Sequence, residues 1–454
     1  MRQKRDPQVS IMHVLSQHEI GKELQAISEI LDENQQMLDW VHQDLAGLKA
    51  TDTGREGMTA EQVLRAAILK QYRSLTYDEL AFHLGDSASF RGFAKLGRGQ
   101  RPKSSTLQEN IKALTEQTWE AVNRVLTGYA ASKGIEKGRT VRIDSTAVET
   151  DIHYPTDSTI LADAIRVITR LLEQGKGLRP APAYRFSDHQ RVVKRRVLQI
   201  QNARKEEVRK RRYRELLEIA GWVRGYAIEA IDALGAFTSE DHAGEVRARA
   251  TADALERLIE LFDRVIGQTH RRVVLGQKVP ASEKIVSFFE DHTDIIEKGN
   301  RETVYGHKIF LVGGKSGLIV DCVIERGNPA DSAMFLPMME RQTELYGRPP
   351  RQVSGDGGFA SKDNLLKAKG GGITDVSFSK GKGLSILEMV KSSWVYKKLR
   401  NFRAGIEAVI SCLKRAFGLS RCPWSGWDGF TRYVRSAVFS YNLLVLARLK
   451  TAKA

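Results

Sequence analysis

The stretch Thr140–Thr150 is the strongest constraint that the sequence places on how this chain of 454 residues can fold. It alternates apolar and polar residues and is rich in β-branched types, which predicts a strand with one buried face. Asp144 shares its face with Arg142 and Thr146. A carboxylate in such a place can bind a hard metal ion, although most strand aspartates are solvated or capping residues. Asp144 is therefore a metal-ligand candidate only if distant parts of the chain supply partners.

The charge balance points to a polyanionic partner. The chain has 71 Lys and Arg against 55 Asp and Glu, a formal net charge of +16. Such an excess favours nucleic acid as the partner, and a merely basic solubility surface is the alternative. Three cysteines show neither metal-binding spacing nor a disulfide framework, which fits a reducing cytosol. There is no long apolar run and no signal-peptide core, so we expect a cytoplasmic protein without a membrane span.

Residues 1–58 are predicted to form an amphipathic helical arm. Its apolar positions follow steps of four and three with one polar exception, Asn34, which is the pattern of a heptad seam in which a single polar residue fixes the register. The seam residues are Ile20, Leu24, Ile27, Leu31, Leu38, Val41, Leu45 and Leu48. The seam can serve self-association or packing on a neighbouring helix of the same chain.

Residues 59–135 read as a helical DNA-binding domain. Thr59 with Gln62 and Thr76 with Glu79 have the spacing of capping boxes that begin helices. A basic loop over 98–103 leads into a further helix, which resembles a helix-turn-helix arrangement. The alternative is an ordinary helical subdomain. The predicted DNA contacts are Arg101, Lys103, Ser105, Gln108 and Lys112.

A second basic segment lies in the helix-rich region after the first strand. Residues 185–214 carry twelve Lys and Arg against Asp188, Glu206 and Glu207. A charge run is usually a solvated helix face, but one this one-sided favours contact with the phosphate backbone. The phosphate-binding candidates are Arg195, Arg196, Lys210, Arg211 and Arg212.

From residue 303 the pattern changes to alternating strands and helices. Residues 305–312 and 318–324 flank Gly313–Gly317 and predict a hairpin. Its Gly-Gly-Lys-Ser run lacks the glycine spacing of a phosphate loop and lies between strands, so nucleotide binding is rejected. A helix over 330–346, strands over 351–356 and 375–379 and a helix near 362–368 complete a mixed sheet. This α/β domain spans 136–450 and is interrupted by a helical insertion at about 160–300.

Two further carboxylates could join Asp144. Asp356 ends its predicted strand before two glycines, where functional groups of α/β sheets gather, although an aspartate there is most often a turn residue. On the helix predicted over 401–417, Arg403, Glu407 and Lys414 fall within an arc of roughly 40°. A structural salt-bridge network would also explain that helix.

Taken together these residues resemble the DDE transposases of bacterial insertion sequences. Arg403, Glu407 and Lys414 match the R-x3-E-x6-K signature, and Asp144 and Asp356 match its two strand aspartates. The stretches 143–146, 153–157, 305–308 and 327–332 are similar to the ISNCY-type branch, and the similarity covers most of 60–450. The related signature often has Tyr where this chain has Arg400. Contact with the DNA end would then move to Arg400 or Tyr396.

The resemblance implies an RNase H-like mixed sheet in which Asp144, Asp356 and Glu407 hold two Mg2+ or Mn2+ ions. Arg403, Lys414 and Arg400 would bind phosphates. The implied partners are double-stranded DNA, as terminal inverted repeats and target, and further copies of the chain in a homodimer or larger synaptic assembly. The expected activity is metal-dependent DNA cleavage and strand transfer in the bacterial cytoplasm, associated with the nucleoid. The alternatives are a nuclease or resolvase without strand transfer, and a non-catalytic DNA-binding descendant of a transposase.

Overall fold

The computed structural model describes residues 4, 18–47, 57–97, 99–297, 302–379 and 383–452. These residues divide into two compact units, one formed within 1–151 and 306–454 and the other within 152–305. Leu48 of the predicted seam and Arg98 of the predicted basic loop lie outside the described residues. In the described ranges no helix is both long and apolar enough to cross a membrane.

The described part of the first unit has seven helices before its first long strand. The capping boxes predicted at Thr59 and Thr76 are confirmed, and each threonine accepts a hydrogen bond from the backbone of the third helical residue. These elements are α1 Glu19–Glu33, α2 Met37–Ala46, α3 Ala60–Tyr72, α4 Tyr77–Asp86, α5 Ala88–Phe93, α6 Ser104–Ala113, α7 Glu116–Ser132 and β1 Thr140–Thr150.

The heptad seam belongs to two helices rather than to one. Asn34 ends α1, and its side-chain amide donates a hydrogen bond of 2.8 Å to the Ile30 carbonyl. A side chain that satisfies a free carbonyl of the last turn stabilises a helix end, so the polar seam position is a break and not a register device. The seam residues Leu24, Leu31, Leu38 and Leu45 are buried against helices of the same chain, including α3 and α7. This is the intrachain packing that the sequence left as one of two possibilities.

The second unit is a helical bundle with its own core. Its elements are α8 Asp157–Lys176, α9 Gln190–Gln201, α10 Glu206–Gly235, α11 His242–Thr269, a π-helical turn His270–Val274 and β2 Asp294–Ile296. Leu161, Val223 and Phe262 are fully buried where α8, α10 and α11 pack together. Asp157 at the start of α8 accepts hydrogen bonds from Gln268 (3.1 Å) and Arg272 (2.8 Å), which joins the start of α8 to the end of α11 and the π-helical turn.

The rest of the chain completes a mixed sheet in the first unit. Its elements are β3 Val304–Gly313, β4 Ile319–Ile324, α12 Asp331–Tyr346, β5 Gln352–Gly355, a short 3-10 helix Gly357–Phe359, α13 Lys362–Gly370, β6 Asp375–Phe378, α14 Ile386–Met389, α15 Ser393–Ala416, β7 Arg421–Cys422 and α16 Gly426–Thr451. β3 runs antiparallel to both β1 and β4, whereas β5 is parallel to β1 and β6 is parallel to β5. The predicted mixed α/β sheet is confirmed.

Helices on the sheet and helices of the N-terminal region share one hydrophobic core. α15 packs on β1, β5 and β6, while α16 packs on α1, α3 and α7. Trp119 of α7 is fully buried against Phe439 of α16, with ring centroids 5.8 Å apart. The N-terminal helices therefore hold the sheet that carries Asp144 as part of one folded body.

Arg341 ties three elements of this unit together, and its loss is expected to destabilise the fold. Its guanidinium donates to Asp321 of β4 (2.7 Å) and to Glu120 of α7 (2.8 Å), and these carboxylates raise its pKa above the ordinary value. Arg341→Ala would leave the mostly buried Asp321 carboxylate without its cation, and we expect the free energy of unfolding to fall by about 3 kcal/mol. Denaturant unfolding measures the change.

The matched control for Arg341 is Arg124, which pairs with the same Glu120 at 2.8 Å but is 56% exposed. Exposed pairs are worth less than about 1 kcal/mol, so Arg124→Ala should change stability little. Equal losses for the two variants would contradict a structural role special to Arg341.

Candidate functional site: acidic residues on two neighbouring parallel strands

The candidate site is built where β1 and β5 run side by side. Their parallel register pairs Arg142 with Ser354. Asp144 and Asp356 each lie two residues further along, so they occupy equivalent positions just beyond the paired stretch of the two strands. Neighbouring strands are roughly 4.8 Å apart, which brings two carboxylates 212 positions apart in the sequence into one neighbourhood.

Each aspartate is held by the backbone that follows it. Asp144 Oδ1 accepts a hydrogen bond of 2.8 Å from the Ser145 amide, and Asp356 Oδ1 accepts one of 2.6 Å from the Gly357 amide. Asp356 thereby caps the short 3-10 helix that follows β5. These local bonds fix the direction of both carboxylates and leave their second oxygens for other partners.

Arg403 joins Asp144 to Glu407. Its Nη1 lies 3.2 Å from Asp144 Oδ2, and its Nη2 donates to Glu407 Oε1 at 2.6 Å. The side chains of Asp144 and Arg403 are each 15% exposed, whereas that of Glu407 is 62% exposed. The structure thus brings three of the predicted site residues into one chain of contacts, with a guanidinium between two acids.

Among the described residues, no group of three or more Asp, Glu, His or Cys side chains is arranged to hold a metal. The Arg403 guanidinium accounts for part of this, because it occupies the position between the Asp144 and Glu407 carboxylates and neutralises them. Within the described residues, Asp356 forms no hydrogen bond with Asp144 or Glu407.

The remaining predicted residues of α15 differ in their surroundings. Arg400 is exposed, whereas Lys414 is half-buried two helical turns beyond Glu407. The Tyr396 hydroxyl donates to the Phe378 carbonyl at 3.2 Å and so belongs to the fold. Of the two residues considered for contact with a DNA end, Arg400 is exposed and Tyr396 is half-buried.

Arg142 is a site residue whose role the sequence did not reveal. Its Nη1 donates to the Phe402 carbonyl at 3.0 Å, and its guanidinium lies 4.9 Å from the centre of the Phe402 ring. Burial lowers the pKa of Arg142 below its ordinary value. Because Phe402 precedes Arg403, this contact sets where α15 crosses β1. The only sequence signal was the shared strand face of Arg142 and Asp144.

Gly405 makes this crossing possible, which gives a testable prediction. A Cβ at position 405 would overlap the Arg142 guanidinium. Ala favours a helix over Gly by about 1 kcal/mol, but overpacking costs typically about 1–3 kcal/mol. We therefore expect Gly405→Ala to lower the unfolding temperature. The control Gly128→Ala in α7, where a Cβ meets nothing within 4 Å, should be neutral or stabilising. A stabilising Gly405→Ala would contradict the close crossing.

The Gly-Gly-Lys-Ser turn between β3 and β4 is occupied by a carboxylate of the same chain. Glu136 Oε2 accepts hydrogen bonds from the Ser316 amide (2.9 Å) and the Ser316 hydroxyl (2.8 Å). A Cβ at Gly314 would overlap the same carboxylate. The turn therefore uses its donors to fasten the hairpin, in agreement with the rejection of a nucleotide site.

The predicted DNA-binding cations fall into exposed and paired groups. Arg101 and Lys103 are exposed just before α6 in the first unit, and Arg195 and Arg211 are exposed in the second. Arg196 and Arg212 both bind Glu215, and Lys210 pairs with Glu206 at 2.9 Å. These three cations are thus partly engaged in holding α9 and α10.

Two protein-family models match the chain. One is described as a transposase DDE domain and matches residues 286–443, and the other is described as a transposase domain (DUF772) and matches residues 17–113. These matches indicate a DDE transposase of the insertion-sequence type. The first match contains Asp356, Arg403, Glu407 and Lys414, and Asp144 lies before it. No curated protein and no solved structure gave a significant match.

Proposed function

We propose that this protein binds the ends of an insertion sequence and catalyses metal-dependent DNA cleavage and strand transfer. The observation that carries the proposal is the placement of Asp144 and Asp356 at equivalent positions on two parallel strands, with Glu407 linked to Asp144 through Arg403. Two transposase-domain matches supply the class of substrate.

The sheet supports an RNase H-like catalytic domain. The spatial order β4, β3, β1, β5, β6 has three antiparallel strands followed by two strands parallel to β1. The helical unit of residues 152–305 follows β1 directly, where the resemblance places an insertion. Together with the motifs at 305–308 and 327–332, this arrangement favours the ISNCY-type branch.

The donor set of the site fits Mg2+ or Mn2+. Asp144, Asp356 and Glu407 offer carboxylate oxygens, which are the ligands that hard divalent cations prefer. When bound, such ions lower the pKa of an attacking water and stabilise the leaving oxygen of an in-line phosphoryl displacement. The high exposure of Glu407 leaves its side chain room to turn towards the two aspartates.

The protein residues around the acids have separate tasks in this proposal. Arg403 neutralises the acids when DNA is absent and would contact a DNA phosphate when the ions replace it. Lys414 and Arg400 extend this line of positive charge along α15, so they would hold the strand that enters the site. No serine or tyrosine nucleophile is invoked, because water or a DNA hydroxyl attacks the phosphate directly.

Exposed cations away from the acids would bind the DNA backbone. We assign this role to Arg101 and Lys103 in the first unit and to the face of α9 and α10 in the second. Cleaving and joining two ends calls for two copies of the active site, so the working form would be a dimer or a larger synaptic assembly in the cytoplasm at the nucleoid.

Removing charge from α9 and α10 tests the backbone contacts. Within the described residues neither Arg195 nor Arg211 forms an ion pair, so both are available to phosphates. A plot of log affinity against log salt concentration has a negative slope. For Arg195→Gln/Arg211→Gln we expect this slope to become shallower by about 2. Arg170→Gln/Arg249→Gln removes the same charge from exposed positions outside the basic segment and should leave the slope unchanged. Equal slopes for the two double variants would show that α9 and α10 do not contact the DNA backbone.

A joining assay separates the proposal from a simple nuclease. Purified protein would be incubated with duplexes copied from the DNA on both sides of its gene, pre-cut at the ends, with a supercoiled plasmid and Mg2+. The proposed transposase yields products in which an end is joined to the plasmid. Cleavage without joined products would favour a nuclease or resolvase, and binding without cleavage in Mg2+ or Mn2+ would favour a non-catalytic DNA-binding protein.

A further inference from the structure

A second polar cluster lies on the face of β1 opposite to Asp144. Ser145 donates a hydrogen bond of 3.1 Å from its hydroxyl to Asp331 Oδ1. Lys308 donates from Nζ to the same oxygen at 3.1 Å and to the Pro329 carbonyl at 2.8 Å. The side chains of Lys308 and Asp331 are 11% and 23% exposed, so this ion pair is largely withdrawn from solvent.

Asp331 also packs against the turn that follows Asp356. A Cβ at Gly358 would lie 2.6 Å from Asp331 Oδ2, so the turn approaches the carboxylate as closely as only glycine permits. Asn364 strengthens the same junction, because its side-chain amide donates to the carbonyls of Ser332 (2.8 Å) and Phe359 (3.0 Å). The start of α12 is therefore fastened to the segment between β5 and α13.

The Asp331 carboxylate thus contacts residues close in sequence to both Asp144 and Asp356. Ser145 follows Asp144 directly, and Gly358 lies two residues after Asp356. The paired register of β1 and β5 ends at Arg142 and Ser354, before either acid is reached. β1 continues beyond that point in its pairing with β3, but no pairing of β1 with β5 fixes the distance between the two acids, so side-chain contacts such as those of Asp331 contribute to it.

The geometry points to Asp331 as a positioning residue for the catalytic acids. Through Ser145 and the turn at Gly358 it holds Asp144 and Asp356 at the separation at which they share divalent ions. Lys308 donates to the same Asp331 oxygen as Ser145 and so fixes the direction of this carboxylate. This role rests on the proposed function, in which Asp144 and Asp356 bind metal ions and the distance between them therefore matters.

Metal affinity measured without DNA tests the positioning role. Free and bound Mn2+ would be determined by electron paramagnetic resonance on the full-length protein, and folding would be checked by circular dichroism and thermal unfolding. Residues that support a metal ligand typically change metal affinity by about 10- to 100-fold. We expect Asp331→Ala to raise the Mn2+ dissociation constant by about that factor, and Ser145→Ala, which removes one hydrogen bond, to raise it by up to about 10-fold.

A double variant separates positioning from the effect of an unpaired lysine. In Asp331→Ala/Lys308→Met no charge is left without its partner, so a purely structural penalty would be relieved. The positioning role predicts that Mn2+ binding stays weak in this variant even though stability recovers. Asp331→Asn keeps an oxygen for the Ser145 hydroxyl and should regain part of the affinity.

Each result decides the question. Wild-type Mn2+ affinity in folded Asp331→Ala and Ser145→Ala would overturn the role of Asp331, and so would full recovery of affinity in the double variant. If Asp331→Ala does not fold, Ser145→Ala and the double variant still give the answer. Unchanged Mn2+ binding in Asp144→Asn would instead count against the proposed metal site itself, which keeps the two failures apart.

Discussion

Asp144→Asn is expected to reduce Mg2+-dependent DNA cleavage by more than about 100-fold, because loss of a residue that only supports a metal ligand already costs about 10- to 100-fold. The substitution keeps the shape of the side chain and the acceptor for the Ser145 amide, so the strand should remain in place. Asp356→Asn and Glu407→Gln should have effects of the same order. Affinity for end DNA, measured by fluorescence anisotropy, should change little because these acids donate nothing to phosphates.

Glu149 provides the matched control for the acids. It lies on the same strand as Asp144, has a side chain that is 43% exposed, and pairs with Arg421 at 2.9 Å. Glu149→Gln removes the same charge and should leave the cleavage rate within about a factor of two of wild type, as expected for a weak exposed pair. Substantial cleavage by any one of the three purified acid variants would show that the substituted residue is not part of the catalytic site.

Arg403→Gln should have opposite effects on metal binding and on DNA cleavage. In the free protein the guanidinium contacts the carboxylates of Asp144 and Glu407, and divalent ions would compete with it for the same oxygens. Removing this cation should tighten Mn2+ binding without DNA by about tenfold, which corresponds to about 1.4 kcal/mol. Cleavage should nevertheless fall by more than about tenfold, because a phosphate contact beside the reacting strand is lost.

The control for Arg403 is Arg415, an exposed arginine near the end of the same helix. Arg415→Gln changes the net charge equally but removes no contact to the acids, so Mn2+ affinity should stay at the wild-type value. Weaker Mn2+ binding in Arg403→Gln would show that the arginine organises the acids instead of competing with metal.

Local patterns were sufficient to predict most elements of the catalytic domain. Alternation and turn residues predicted β1, the β3–β4 hairpin and the strands that end near Asp356, and capping boxes predicted where α3 and α4 begin. These features are set by residues a few positions apart, so they can be recognised without a structure. The family signature then selected Asp144, Asp356 and Glu407 as candidates, a choice that remains a prediction.

Features that depend on how distant segments meet could not be predicted in the same way. The Arg403 bridge to Asp144 requires α15 to cross β1 closely, which depends on Gly405 and Arg142. The contact of Asp331 with Ser145 likewise joins residues 186 positions apart. The break at Asn34 was misread because a heptad pattern continues in register across a short turn.

Iron-directed cleavage of the polypeptide tests most directly whether the three acids share a metal. Fe2+ would replace Mg2+ in the complex with end DNA, and ascorbate with peroxide would generate hydroxyl radicals that cut the backbone near the bound ion. Mass spectrometry would map the cuts. The shared site predicts cuts close to Asp144, Asp356 and Glu407 together, all suppressed by excess Mg2+ and absent in Asp144→Asn. Cuts that omit any one of these three segments, or that persist in Asp144→Asn, would contradict it.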